Sequence, residues 1–308
     1  MRTLTLADAE VSAMSYGCMR IVGTWNPAEI TPERKEGAKT ALNAALEAGY
    51  TLFDHADIYC AGGCETVFGE WLAERPEIRD ELYIATKCGI RFPGDPNPDS
   101  PHRYDFSQTH ILESCAKSRE RLGIETIDLY QLHRPDILMD PKEIAEAFNE
   151  LEARGWVRHF GVSNFLPSFV DALQAHLSQK LVVNQVEIHL GRLDPFVDGT
   201  LDQCLEKDIL PLAWSPLGGG WLGDGGEVPA GDSREGLLKT MDEIAAKLGV
   251  SRTVLAFAWL MKHPSQIIPI VGSVRPEKIR DAAQAAELDL DREDWYRLYV
   301  AARGKNLP

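Results

Sequence analysis

Short apolar runs alternate with amphipathic helical segments from one end of this chain to the other. The runs fall at residues 13–17, 51–54, 82–86, 127–132, 159–162, 182–186, 209–213 and 267–269. Helical periodicity covers 31–48, 65–75, 107–122, 141–153, 167–176, 199–206, 234–248 and 276–286. A helix between two strands carries the chain back to its starting edge, so neighbouring strands pair in parallel and helices cover the sheet. Eight such units in 308 residues predict an α/β protein with a closed (β/α)8 TIM barrel, an open doubly wound sheet being the competing topology. Helical stretches at 251–262 and 291–301 are expected as two additions to the ring. No Ser/Gly linker or compositional break interrupts the pattern, so residues 1–308 are read as one domain.

Local signals agree with the period. Thr31 is placed to cap the first long helix, Pro32 suits its first turn, and Gly49 marks its end. The stretch IRFPGDPNPDSPHRYDF, residues 90–106, carries too many prolines and glycines for regular structure and is read as a functional loop.

Composition narrows the function. Acidic residues outnumber basic ones 47 to 32, a net charge of −15, which disfavours non-specific binding to nucleic acid or anionic membranes but leaves room for a local basic pocket. No apolar run approaches the roughly 20 residues of a membrane span. The start, MRTLTLADAE, lacks the basic-then-apolar layout of a secretory signal, so a cytoplasmic location is expected. Cys18, Cys60, Cys64, Cys88, Cys115 and Cys204 form no CxxC pair and are read as reduced thiols. Neither these cysteines nor His55, Asp57, His133 and His189 show metal-ligand spacing, so no metal is expected.

In a parallel barrel, chemistry belongs at the C-terminal strand ends. The run ending TLFD delivers Asp54, His55, Asp57 and Tyr59 in quick succession, ELYIAT ends in Lys87, and IDLYQL ends in His133. A lysine after an apolar strand must reach solvent or meet a carboxylate. Tyr59 beside the Lys87 ammonium would be a proton donor whose pKa falls below the usual value near 10, with Asp54 holding the lysine and His133 directing a carbonyl oxygen. No side chain here supplies a hydride; a nicotinamide cofactor would.

These residues resemble the aldo-keto reductase superfamily. The matching stretches are FDHADIY, ATKCG, LYQLHRPD, FGVSNF, VNQVEIH, LAWSPLGGG and IVGSVRPEKIRDA, in family order across nearly the whole chain. The resemblance implies a (β/α)8 barrel that binds NADP(H) and reduces a small-molecule aldehyde or ketone, with Tyr59 as general acid, Asp54 and Lys87 as its tuning pair, and His133 orienting the carbonyl. It implies Ser163, Asn164 and Gln185 as partners of the nicotinamide carboxamide and Trp214 as the ring beneath it, where tyrosine is more frequent. Ser215, Leu217 and Gly218 follow as pyrophosphate neighbours. Lys278, with Ser273, Arg275 and Arg280, is implied for the 2′-phosphate and Asp281 for the adenine; Gly272 departs from the basic residue many members place there. An accessory role, sensing NADP(H) with little turnover, is the alternative this resemblance leaves open.

GGGWLG at 218–223 also fits a G-x-G-x-x-G dinucleotide fingerprint, but no helix follows it at once. It is read instead as a Gly-rich flap over the cofactor. Met19, Trp25, the 90–106 loop and the segment after His133 are expected to wall the substrate pocket.

Overall fold

A computed structural model describes residues 1–308. Two short antiparallel strands, β1 (Thr3–Leu6) and β2 (Ala9–Ser12), come first. The chain continues through β3 (Ser15–Gly17), α1 (Pro32–Glu47), β4 (Leu52–Asp54), α2 (Gly63–Ala73) and β5 (Tyr83–Cys88). A small antiparallel pair, β6 (Ile90–Arg91) and β7 (Arg103–Tyr104), lies inside the stretch read as wholly irregular. Then follow α3 (Gln108–Leu122), β8 (Ile127–Leu132), α4 (Pro141–Ala153), β9 (Val157–Ser163), α5 (Pro167–Gln174), β10 (Leu181–Glu187), α6 (Thr200–Lys207) and β11 (Leu210–Trp214). The chain ends with α7 (Glu235–Leu248), α8 (Arg252–Met261), β12 (Ile268–Val271), α9 (Pro276–Ala283) and α10 (Arg292–Arg303). Strands β3, β4, β5, β8, β9, β10, β11 and β12 close in that order into a parallel barrel, β12 pairing with β3. The doubly wound alternative is thereby excluded. The first long helix starts as its sequence requires, with the Thr31 hydroxyl accepting from the Arg34 amide and Pro32 in the first turn.

The strand period sorts the side chains. On β4 and β5, Leu52, Asp54, Tyr83, Ala85 and Lys87 share one parity and point inward, while Phe53, Ile84, Thr86 and Cys88 point to the helices. Phe53 accordingly packs on Phe68 and Trp71 of α2. Inside the barrel, Leu52, Tyr83, Ala85, Leu129, Val183, Leu212 and Ile268 form an apolar cluster that Leu6 and Val11 of the β1–β2 pair complete. The leading strands therefore plug the N-terminal end, with the Thr51 and Leu52 amides donating to the Ser12 hydroxyl. The alternation in TLTLADAEVS was the signal for this pair, and it was not read.

One of the two added helices is not where the sequence suggested. Helix α8, set aside as an addition, packs against β12 and α9 in the ring, whereas α7 pairs with α10 outside it. The reason lies in polarity: α8 is buried on all sides from Thr253 to Met261, as a helix sandwiched between strand and outer helix must be, while α7 buries one face. Trp259 of α8 stacks on Trp295 of α10 with centroids 5.2 Å apart, and each indole N–H donates to the other residue's carbonyl.

Behind the inward-facing residues lies a polar layer. Glu65 of α2 is fully buried, accepting from Thr86 at 2.6 Å and pairing with Arg121 of α3 at 2.6 Å. Asp57 sits against this layer, partly buried, with its Oδ1 sealed from solvent and unpartnered. Burial, reinforced by the Glu65 charge, pushes its carboxyl up to about 8.

Two outcomes follow. Leu6→Ala should cost about 2–4 kcal/mol in urea unfolding, because it opens a cavity in the barrel floor; a loss under about 1 kcal/mol would make the plug peripheral. The raised Asp57 pKa means that ionisation adds no cost below the unfolded value of 3.8, a cost that grows with pH from there to about 8, and a constant one above. Asp57→Asn should therefore gain stability over the parent as pH rises across that window, read as a widening gap in Tm; a gap independent of pH would refute the assignment.

Candidate active site

Lys87 has a fully buried side chain. Its ammonium meets both oxygens of Asp54, at 2.7 Å and 2.8 Å, and the main-chain oxygen of His55 at 2.7 Å. The Tyr59 hydroxyl lies 3.3 Å away. Burial alone would lower the lysine's pKa; the Asp54 carboxylate and Tyr59 outweigh it, so the net direction is up.

Tyr59 reaches this position through a tight turn. Cys60, Ala61 and Gly62 all take left-handed backbone conformations, at φ 51°, 49° and 88°, before α2 begins. Two non-glycine residues in that region store strain that the surrounding packing must hold. The result corrects one expectation: the phenol is not acidified. Burial pushes Tyr59 up to about 12; Lys87 pulls the other way, and Asp54 offsets that pull. Burial outweighs the lysine's pull, so Tyr59 remains a neutral hydroxyl across the physiological range.

His133 continues the C-terminal end of β8, its amide donating to Cys88 O. Its ring stands edge-on to Tyr59 with centroids 6.0 Å apart. Burial, then Lys87 and Arg134, hold its pKa well below the usual histidine value, so the imidazole is neutral. A neutral imidazole N–H and a neutral phenol, side by side, are two donors suited to one carbonyl oxygen.

Both groups open into a cavity of about 680 Å³ at the C-terminal end of the barrel. Asp54, Ser163, Asn164, Gln185, Trp214, Ser215, Leu217, Gly272, Ser273, Arg275 and Lys278 also face it. Gly218 and Asp281 do not: Gly218 is folded against the Trp221 indole, and Asp281 lies beside Ala282, which takes the cavity-facing position on α9. Arg280 is turned to Glu47 on α1, at 2.9 Å. Gln185 is committed within the protein as well, its amide donating to Asp54 Oδ1 at 2.7 Å. Asn164 links three elements: its amide donates to His133 O and Ser163 Oγ, and its oxygen accepts from the Trp214 indole at 2.9 Å.

Of the expected substrate walls, Met19 and Trp25 line the cavity, Ile90 represents the 90–106 loop, and Arg134 the segment after His133. Arg20, Asp224 and Thr253 were missed. The Gly-rich segment after β11 is tied down, since Asp224 accepts from Thr253 at 2.7 Å and pairs with Lys278 at 3.2 Å. No sequence pattern marked Asp224 for this role. His55, an early site candidate, points away to Phe68, with ring centroids 4.5 Å apart and burial lowering its pKa to about 3. His189 faces Glu187 outside the cavity. No three His, Cys, Asp or Glu side chains converge as a metal cage would require.

A second cavity, of about 700 Å³, opens at the opposite end of the barrel beside Thr5, His159 and Gln266. Its cations are already matched to carboxylates, Arg158 to Asp128 and Lys180 to Asp208, and burial lowers the pKa of His159, which faces Asp8. The reactive groups are all at the first cavity, which is where chemistry is assigned.

Comparison with known proteins bears on the fold and the family. The chain is 38% identical to an uncharacterized oxidoreductase of Bacillus subtilis over the full length of both. It is 40% identical to a 6-dehydroglucose reductase of Novosphingobium aromaticivorans, covering 93% of this chain and 92% of that one. A thermostable aldo-keto reductase solved with the inhibitor epalrestat superposes with a TM-score of 0.84 at 25% identity, covering 98% of this chain and 100% of that one. An aldo/keto reductase from Klebsiella pneumoniae solved with NADP and acetate shares the fold, with a TM-score of 0.76 at 24% identity over 95% of this chain and 92% of that one. The Aldo/keto reductase family model matches residues 13–301, every barrel strand included, and the chain belongs to that family.

Proposed function

We propose that this protein is an NADP(H)-dependent oxidoreductase that reduces an aldehyde or ketone to an alcohol, with Tyr59 as the proton donor. The observation that carries the reading is the Lys87 ammonium, locked on Asp54 and 3.3 Å from the Tyr59 hydroxyl, beneath a cavity that His133 faces from the side. Two relatives named 6-dehydroglucose reductase support a small polar carbonyl substrate. The solved Klebsiella relatives that hold NADP and NADPH support the choice of cofactor.

The cavity fits such a cofactor. It runs from the Tyr59–His133 end to a cationic end at Arg275 and Lys278, where the free amides of the α9 N-terminus add donors for an anion. Ser163, Asn164, Gln185 and Trp214 would hold the nicotinamide, Ser215 and Leu217 the pyrophosphate, and Ser273, Arg275 and Lys278 the 2′-phosphate. Lys278 would exchange some of its contact with Asp224 for that phosphate. NADPH, when bound, supplies the hydride for the carbonyl carbon.

The chain's own residues do the rest. His133 and Tyr59 both donate to the carbonyl oxygen, polarising it and fixing its direction. As negative charge grows on that oxygen, the Tyr59 proton moves to it, since the developing alkoxide is more basic than a phenolate. The phenolate left behind rests against the Lys87 ammonium, and Asp54 keeps that ammonium in place. A pKa raised to about 12 suits this direction of chemistry, because the acid is fully loaded at neutral pH.

Tyr59→Phe should lower kcat for aldehyde reduction by about a hundredfold or more while NADPH titration by fluorescence stays within about twofold; near-parental turnover would refute the role. Neither the raised Tyr59 nor the lowered His133 titrates between about pH 6 and about pH 9, so in Asp57→Asn, which removes the carboxyl that titrates near 8 beside Lys87, the reduction rate should be flat over that range. An inflection inside that range, after correction for cofactor stability, would show that another group donates the proton.

A further inference from the structure

The contact between Tyr59 and Lys87 joins two segments of chain, and both are gripped from behind the barrel wall. Successive residues of a strand face opposite sides, so β5 ends with Lys87 pointing into the barrel and Thr86 pointing out to the helices. The Thr86 hydroxyl donates to Glu65 Oε1 on α2 at 2.6 Å. Glu65 is fully buried, and its Oε2 accepts from both Nε and Nη2 of Arg121 on α3, at 2.7 Å and 2.6 Å. Arg121 is the one cation paired with it. Nη2 of Arg121 also donates to Ser118 Oγ at 3.2 Å, which steadies the guanidinium on its own helix.

Arg121 also meets the segment that carries Tyr59. The left-handed turn Cys60–Ala61–Gly62 keeps its shape only if its surroundings hold it. A methyl group on Gly62 would stand 2.6 Å from both Cδ and Nε of Arg121, so the arginine stem lies directly against the last residue of the turn. Thr66 Oγ1 donates to Gly62 O at 3.2 Å and the Ala61 amide to Ile58 O at 3.0 Å, but these bonds are local and neither reaches β5. The Asp57 amide, donating to Lys87 O at 3.0 Å, fixes the segment before Tyr59; Arg121 bears on the segment after it. The path from Lys87 through Thr86, Glu65, Arg121 and Gly62 to Tyr59 therefore closes a ring through the wall. Its last link is the 3.3 Å approach of the Tyr59 hydroxyl to the Lys87 ammonium.

We propose that Glu65 and Arg121 are positioning residues for the reduction: the pair holds the turn that carries Tyr59 in register with Lys87, without touching substrate or cofactor. This rests on the reductase reading above and deepens it. Charge-assisted hydrogen bonds are short and strong, so they fix the spacing of the strand, helix and turn they join. A displacement of about 1 Å in a reacting group is enough to cost on the order of a hundredfold in rate. Neither Glu65 nor Arg121 lines a cavity, so their loss acts on the chemical step and leaves binding in place.

The test uses the full-length protein with NADPH and three aldehydes, butanal, glyceraldehyde and benzaldehyde. Arg121→Ala should lower kcat by about tenfold to a hundredfold. KM and the NADPH dissociation constant should stay within about twofold of the parent. Arg121→Lys, which keeps the stem and the charge, should recover part of the loss. Thr86→Val removes only the hydroxyl that reaches Glu65; it should lower kcat by a smaller factor, and it carries the test if Arg121→Ala fails to fold by circular dichroism. With NADPH deuterated at the transferred hydrogen, the isotope effect on kcat in each variant should be at least as large as in the parent, because the slowed step is the chemical one. Parental kcat in both Arg121→Ala and Thr86→Val overturns the positioning role and leaves the reductase reading standing. A loss seen in KM or NADPH binding, or one with a smaller isotope effect, also overturns it. Parental protein inert toward all three aldehydes overturns both readings.

Discussion

The ion pair between Lys87 and Asp54 is the constraint around which the catalytic end of the barrel is arranged. A lone ammonium buried to this depth would be too costly to keep charged, so the fold surrounds it with acceptors: two carboxylate oxygens, the His55 carbonyl and the Tyr59 hydroxyl. That need fixes the register in which β4 and β5 end, the strained turn at Cys60 and Ala61 that returns Tyr59 to the cavity, and the amide of Gln185 on the far side of Asp54. Toward the opposite end, the barrel floor is an apolar cluster plugged by Leu6 and Val11. Water is thereby kept from the side of the pair that faces the core.

The same pair decides the acid–base character of the site. Burial outweighs the pull of the Lys87 ammonium on Tyr59, a pull that Asp54 partly offsets, and the hydroxyl keeps its proton. His133 is likewise kept neutral by burial and by the two cations near it. A site built from two neutral donors over one compensated cation is arranged to receive a growing negative charge on oxygen. Farther along the cavity, Lys278 is held by Asp224 at 3.2 Å, a contact that keeps its ammonium at the cavity wall.

Much of the site was legible in the sequence because strand ends are legible. Asp54, Lys87 and His133 each close an apolar run, and a closed barrel brings all such ends to one rim. Ser163, Asn164, Trp214 and Ser273 were found by resemblance to family motifs, and all of them line the cavity. Side-chain direction was not legible. Gly218 and Asp281 lie next to cavity-lining residues yet face elsewhere, since one position along a turn or helix rotates a side chain away. Arg134 adjoins His133 in sequence, but its guanidinium lies over the ring of Trp214, some eighty residues on.

By itself, the sequence determined a parallel sheet covered by helices and which strand ends carry reactive groups, because both follow from local periodicity, period two along strands, period 3.6 along helices, and a chain that must return to the same edge; that the sheet closes on itself is seen only where β12 pairs with β3. Only the tertiary structure decided that α8 and not α7 completes the ring, that the leading hairpin seals the floor, and that Tyr59 is a weak acid. Those outcomes depend on what each group finds across space once water is excluded. Burial and pairing between distant residues leave no periodic trace along the chain.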